Sequence, residues 1–221
     1  MFYITGDVHA DIDGFLDRDF KKIKKTDSII ICGDFGLFWD GNETEKKNAK
    51  KLGSHKYNTL FVDGVHENFD VLNSYPVTEW NGGEVQVIYK NLMHLMRGQV
   101  YNIDGKKIFT FGGGESIDKE MRTEGKTWWE QELPNLSEME GGVKNLIANN
   151  WEVDYIFTYE APSSIKHIFD DNEDTTNSLN LYFDFINEKC KYKKWVFGNY
   201  HKNKRISHIQ EAVFDGVLKF E

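Results

Sequence analysis

Apolar residues in this chain come in short unbroken runs, and each run closes at its C-terminal end on Gly, Asp or another polar residue. FYIT precedes Gly6-Asp7, SIIIC precedes Gly33-Asp34, TLFV precedes Asp63-Gly64, DYIFT precedes Tyr159-Glu160 and KWVF precedes Gly198. Runs of four or five apolar residues without alternation are the pattern of strands buried on both faces. Stretches with helical spacing lie between them, over residues 12–24, 43–52, 67–73, 136–149 and 178–189, with Asp11 and Thr44 as expected caps. Strand and helix in alternation put helices on the faces of a sheet and collect ligands beyond the carboxyl ends of its strands.

The middle of the chain has a different rhythm. VQVIY, LMHLM, QVYNI and KKIFTF are strand-like pieces separated by Lys90-Asn91, Arg97-Gly98 and Asp104-Gly105, which read as hairpin turns, and KRISHI and AVFDGVLKF continue this in the tail. The expected fold is α/β: a two-sheet β-sandwich flanked by helices, forming one domain over residues 1–221. A hydrophobic fraction of 39% is enough to bury a core in a chain of this size.

Charge and composition narrow the chemistry. A formal net charge of −9 argues against nucleic-acid or anionic-membrane partners unless metal ions intervene. No apolar stretch is long enough to span a bilayer, and the N-terminus has no basic segment before its apolar run, so neither a span nor a signal peptide is expected. Two cysteines, Cys32 and Cys190, are too few for a disulfide framework and point to the cytoplasm, with Cys32 read as a buried small hydrophobe. The seven histidines are the feature that composition leaves unexplained.

Asp or His stands at the end of one predicted strand after another: Asp7 and His9 in GDVH, Asp34 in GDFG, His66 between Asp63 and Glu67, and His201 in FGNYH. Carboxylates and imidazoles converging on one crevice are how metal sites are built, and this donor mixture suits Mn, Fe, Zn or Ni. The order D-x-H, G-D, G-x-H-E, T-x-x-x-P and G-x-x-H resembles the calcineurin-like metallophosphoesterases and runs over nearly the whole chain. That resemblance implies two ions at the strand ends, a bridging hydroxide attacking phosphorus, and a histidine assisting the leaving oxygen.

Carried over position by position, the resemblance makes Asp7, His9 and His201 ligands of the first ion, Asp34 the carboxylate between the ions, and His66 the catalytic histidine. The second ion's own ligands would stand at Val65, Tyr159 and Asn199. All three are changed, whereas every first-ion position is kept. Valine has no donor atom, a tyrosine ligand would need its phenol (pKa about 10) deprotonated, and the asparagine carbonyl is weak. Glu67 and Glu160 neighbour lost positions, but adjacent side chains on an extended segment point to opposite faces.

The expectation is therefore one divalent ion in a degenerate binuclear site, with weak or altered hydrolysis of a phosphorylated small molecule or nucleotide. The alternative is an inactive pseudo-phosphoesterase that binds a phospho-ligand or a protein. Arg97 and Arg122 are candidates for meeting a phosphate, against a plainer reading as surface salt bridges. Gly125-Lys126-Thr127 fails as a phosphate loop because Glu120 stands where glycine is required. Gly112-Gly113-Gly114 would let backbone approach the crevice, Trp128 and Trp129 would cap the core, and His55, His94, His167 and His208 fit no motif. Oligomeric state has no signature in the sequence.

Overall fold

The computed structural model describes residues 1–20, 23–169 and 176–221. One sheet has seven strands in the order β13-β1-β2-β3-β6-β5-β4, namely Leu218–Phe220, Phe2–Thr5, Ser28–Cys32, Asn58–Val62, Leu92–Leu95, Gly83–Tyr89 and Val77–Trp80. The other has six in the order β11-β12-β10-β9-β8-β7: Lys204–Arg205, Gln210–Ala212, Lys194–Phe197, Tyr155–Thr158, Lys106–Phe111 and Gln99–Ile103. β1, β2, β3 and β6 run parallel, as do β8, β9, β10 and β12. The two-sheet α/β sandwich is thus present.

Each unbroken apolar run serves two cores. In β2, Ile30 and Cys32 point between the sheets with Phe2, Ile4, Leu60, Val62 and Phe157, while Ile29 and Ile31 point outward against helices. That outer layer is α1 (Ile12–Asp17), α2 (Glu43–Gly53) and α3 (Phe69–Leu72), which contribute Ile12, Phe15, Ala49, Leu52 and Leu72. On the second sheet's outer face, α4 (Leu136–Ala148), α5 (Ser163–Lys166) and α6 (Ser178–Lys189) cover Phe109, Phe111, Ile156, Trp195 and Phe197. Strands buried on both faces cannot alternate polar and apolar residues, which is why the runs are continuous. Among the described residues no helix is long and apolar enough to cross a membrane.

Several boundaries differ from expectation, each for a local reason. α1 ends at Asp17, well short of residue 24, and residues 21–22 lie outside the described residues. Arg18 is extended because its guanidinium turns back to donate to the carbonyls of Gly6 and Asp7, to Phe214 O and to Thr5 Oγ1. Asp11 caps α1 as expected, but the cap of α2 is Asn42, not Thr44, and its side chain accepts from Thr44 N and Glu45 N. α3 starts at Phe69 because Glu67 is spent elsewhere, accepting from the backbone N–H of Phe35 and Gly36. The tail run AVFDGVLKF is not one strand: Ala212 ends β12 in one sheet and Leu218 opens β13 in the other. Its crossing segment is tied to the end of β1 by Gly6 N to Phe214 O at 2.9 Å.

Candidate metal centre

β1, β2, β3, β9 and β10 all deliver their carboxyl ends to one side of the sandwich, and the turns that follow carry the candidate residues. Those turns are bent into backbone conformations that side chains rarely adopt. His9, Ala10, Asp34, Asn199 and His201 have φ of 47°, 61°, 46°, 67° and 47°. Such residues cost on the order of 1–3 kcal/mol each and persist only where surrounding contacts impose them. Here Val8 N and His9 N both donate to Asp34 O at 2.9 Å, stitching the β1 turn to the β2 turn. Gly33 cannot be replaced: its φ is +91°, and a Cβ would stand 2.1 Å from the Tyr159 ring.

Asp34 is the hub. It is 1% exposed, its Oδ1 accepts from Val65 N (2.8 Å) and His66 N (3.0 Å), and its Oδ2 faces His66 Nδ1 (2.8 Å) and accepts from the Tyr159 hydroxyl (2.9 Å). Burial opposes ionisation of this carboxyl, but the His66 bond and the charges of His66 and His9 outweigh it and hold the pKa below the ordinary value. The same bond raises His66 against its own desolvation. Burial, reinforced by Asp34 and Asp7, pushes the Tyr159 phenol far above its usual range, so at Asp34 it is a fixed proton donor.

Asp7 answers differently to similar surroundings. Burial first and the nearby Asp34 charge second push its carboxyl up to about 8, although Asn199 N donates to Oδ1 at 3.3 Å and Arg18 lies close. Asp7 Oδ2 is buried with no hydrogen-bond partner and lies 3.9 Å from His201 Nε2. His201 Nε2 in turn lies 3.1 Å from His9 Nε2, which is 3.9 Å from Asp34 Oδ2. Two imidazole nitrogens ligating one tetrahedral ion at 2.1 Å would be about 3.4 Å apart. An orphaned buried carboxylate oxygen, two facing imidazoles and a second carboxylate fit a divalent cation.

Among the described residues, potential ligand atoms within 4.8 Å of one another form two sets that share Asp34. One is Asp7, Asp34 and His201; the other is His9, Asp34 and His66. His66 therefore stands closer to the donor atoms than its expected role outside the first ion's ligands implies. Val65 offers no donor, and its side chain belongs to the core between the sheets. Asn199 reaches Asp7 through its backbone. Neither Glu67 nor Glu160 belongs to these sets: Glu67 accepts from Phe35 N and Gly36 N, and Glu160, although it lines the crevice, is bound by Lys166 at 3.1 Å and by the Tyr200 hydroxyl.

The two arginines part company. Arg122 lines the crevice of about 260 Å³ that also contains Asp34, His66, Tyr159, Asn199 and His201. Arg97 does not: its Nε and Nη2 donate to Asp63 Oδ2, its Nη1 faces Glu138, and its side chain is 6% exposed. Asp63 is completed by His94 Nε2 at 3.0 Å, so a histidine that fits no motif serves a buried ion-pair network. Arg97→Ala would strand the Asp63 carboxylate, whose pKa the guanidinium and His94 hold far below normal against full burial. A loss of about 3 kcal/mol in chemical denaturation is expected, with metal content of the folded protein unchanged.

Other expectations hold their places. Trp129 is 3% exposed, packs edge-on against Trp39 and donates to Asp70, so it caps the core. Cys32 and Cys190 are buried and free. A Cβ on Gly114 would stand 2.8 Å from the Tyr159 ring, so this glycine lets backbone approach the crevice, whereas a Cβ on Gly112 would stand 2.1 Å from Asp63 Oδ1, beside the Arg97 network. Reading the sequence alone misses Arg18, the staple under Asp7, and it misses Ser116 and Glu132 beside the crevice. No motif marks them, because their roles depend on contacts across the sandwich.

The family model described as calcineurin-like phosphoesterase matches residues 1–203. No curated protein matches the sequence. Among solved structures, the phosphopantetheinyl hydrolase PptH from Mycobacterium tuberculosis is similar at 12% identity and a TM-score of 0.44, over 96% of this chain and 89% of that one.

Proposed function

Because the chain belongs to the calcineurin-like phosphoesterase family, we propose that it hydrolyses phosphoric esters with a single divalent ion, held by Asp7, His9, Asp34 and His201. The observation that carries this reading is the Tyr159 hydroxyl on Asp34 Oδ2, a proton fixed against the carboxylate that would otherwise face a second ion. Val65 has no donor atom to offer, and the contact of Asn199 with Asp7 runs through its backbone N–H. When bound, the ion, Mn, Fe, Zn or Ni by its donors, would polarise a phosphoryl oxygen and acidify water.

The chain's own residues do the rest. Burial first and the Asp34 charge second disfavour a free carboxylate at Asp7, so a cation between the two would favour their ionised forms. His66 is oriented by Nδ1 on Asp34, which leaves Nε2 to face the crevice and serve the departing oxygen. The bond to Asp34 also raises the His66 pKa, which favours the protonated, donor form. The crevice, about 260 Å³, suits a small phosphorylated molecule or a nucleotide better than a polymer. The two free, buried cysteines agree with a cytoplasmic setting.

A second reading, a pseudo-phosphoesterase that binds a phospho-ligand or a protein, is favoured by one observation: Asp34 Oδ2 is already met by the Tyr159 hydroxyl and by His66 Nδ1 without any ion. Hydrolysis of an aryl phosphodiester in Mn²⁺ by the purified chain separates the two. Slow turnover is expected, and His66→Ala should reduce it about a hundredfold. An unchanged rate in His66→Ala would remove that residue from the chemistry, and no turnover by a chain that holds its ion would favour the binding module.

A further inference from the structure

Of the four ligands, His201 has the least support from its own turn. Its side chain is 55% exposed, its backbone is left-handed at φ 47°, and no described residue hydrogen-bonds its Nδ1. A ligating histidine ordinarily has its second ring nitrogen held by a carboxylate or a carbonyl, which fixes the ring before an ion arrives. A different contact meets this imidazole: the Phe214 ring packs against it, with centroids 4.9 Å apart and planes 33° from parallel.

Phe214 lies two residues beyond β12, on the segment that crosses between the sheets and past residue 203, where the family match ends. Both of its backbone groups are anchored. Its N–H donates to Asn203 Oδ1 at 2.9 Å, and its carbonyl accepts from Gly6 N at 2.9 Å and from Arg18 Nη1 at 3.2 Å. The same guanidinium donates to Gly6 O at 2.7 Å, to Thr5 Oγ1 and, through Nη2, to Asp7 O at 2.9 Å. The crossing segment runs so close to β1 that a Cβ on Gly6 would stand 2.4 Å from Val213 O. Arg18 thereby joins the backbone of one ligand, Asp7, to the residue that packs on another, His201, although the two ligands follow strands of different sheets.

We infer that Phe214, clamped by Arg18, is a positioning residue of the metal centre: its ring holds the His201 imidazole toward the ion, and the clamp fixes that ring relative to Asp7. The inference rests on the ligand set proposed above. Its size follows from the arrangements open to a histidine. Three staggered χ1 wells and two orientations of the ring give about six, and a site loses apparent affinity in proportion to the fraction of molecules with the ligand in place.

The test is titration of the full, metal-free chain with Mn²⁺ by calorimetry, beside a thermal melt of the same metal-free samples. Phe214→Ala should weaken Mn²⁺ binding about fivefold. Phe214→Tyr, which keeps the ring, should bind within twofold of the parent, whereas Phe214→Leu, which keeps apolar bulk alone, should melt near the parent yet bind more weakly than Phe214→Tyr. Arg18→Lys, whose ammonium has three donors for four acceptors, should also bind more weakly. Affinity of Phe214→Ala within twofold of the parent would overturn the inference, as would equal losses in Phe214→Ala and Phe214→Tyr, because the ring would then not be the cause. Were Phe214→Ala not to fold, the comparison of Phe214→Leu with Phe214→Tyr decides in the same way. Unchanged affinity in Arg18→Lys would strike the clamp from it. No binding by the parent, or unchanged affinity in His201→Ala, would instead overturn the ligand set itself, a failure distinct from the others.

Discussion

Asp34→Ala is expected to abolish metal binding and to weaken the fold at the same time. Asp34 belongs to both sets of potential ligands, so no subset of the remaining donors keeps a shared carboxylate. A loss of metal affinity beyond a hundredfold is expected, since removing a partner that merely orients a ligand already costs about 10–100-fold. The structural cost has a separate origin. Val65 N, His66 N, the His66 ring and the Tyr159 hydroxyl all meet this carboxylate, and Tyr159 is 2% exposed, too deep for water to replace the lost acceptor freely. Each buried donor left unpaired costs about 1–3 kcal/mol. Metal titration and a thermal melt of the same variant check both halves. Asp34→Asn, which keeps one carbonyl acceptor for Val65 and His66, should retain more of the melting temperature while still losing the metal. A variant that binds metal normally would show that Asp34 is not the hub described here.

The second large effect runs in the opposite direction. Val65→Asn, Tyr159→His and Asn199→His together should admit a second ion and raise kcat/KM on an aryl phosphoester by about two orders of magnitude. Several kcal/mol of transition-state charge stabilisation is the usual worth of such an ion, and each 1.4 kcal/mol is tenfold. Tyr159 is the decisive member, because its hydroxyl occupies Asp34 Oδ2 and its ring fills the space between Gly33 and Gly114. A histidine there removes the fixed proton and opens room, at some loss of packing that a thermal melt will register. Single replacements should give little, since each alone adds one donor to a site short of three. Absence of both the second ion and the rate gain in a folded triple variant would mean that the crevice has been rebuilt beyond those three positions.

The parts legible in the sequence are those encoded locally. SIIIC and YIFT announce strands buried on both faces because every position in them meets a core. Asp7, His9, Asp34, His66 and His201 are legible because strand ends in a parallel sheet converge whatever the loops do. The illegible parts are set across the sandwich. Nothing in DRDF shows that Arg18 will leave its helix to grip the Asp7 and Phe214 carbonyls. Arg97 and Arg122 look alike along the chain, yet one is locked in an ion pair with Asp63 and the other stands in the crevice. The split of the tail between two sheets depends on where the β12 edge ends, which no short pattern records. Motif order likewise assigns His9 and His66 to different roles, whereas their rings lie 4.8 Å apart.

The most direct measurement is the number of ions bound per chain, by elemental analysis after loading with excess Mn²⁺ and removal of free metal. One ion per chain is expected, lost in Asp7→Ala and retained in His66→Ala. Two ions per chain would contradict the single-ion centre, and loss of one of them in His66→Ala would identify His9, Asp34 and His66 as the second holder.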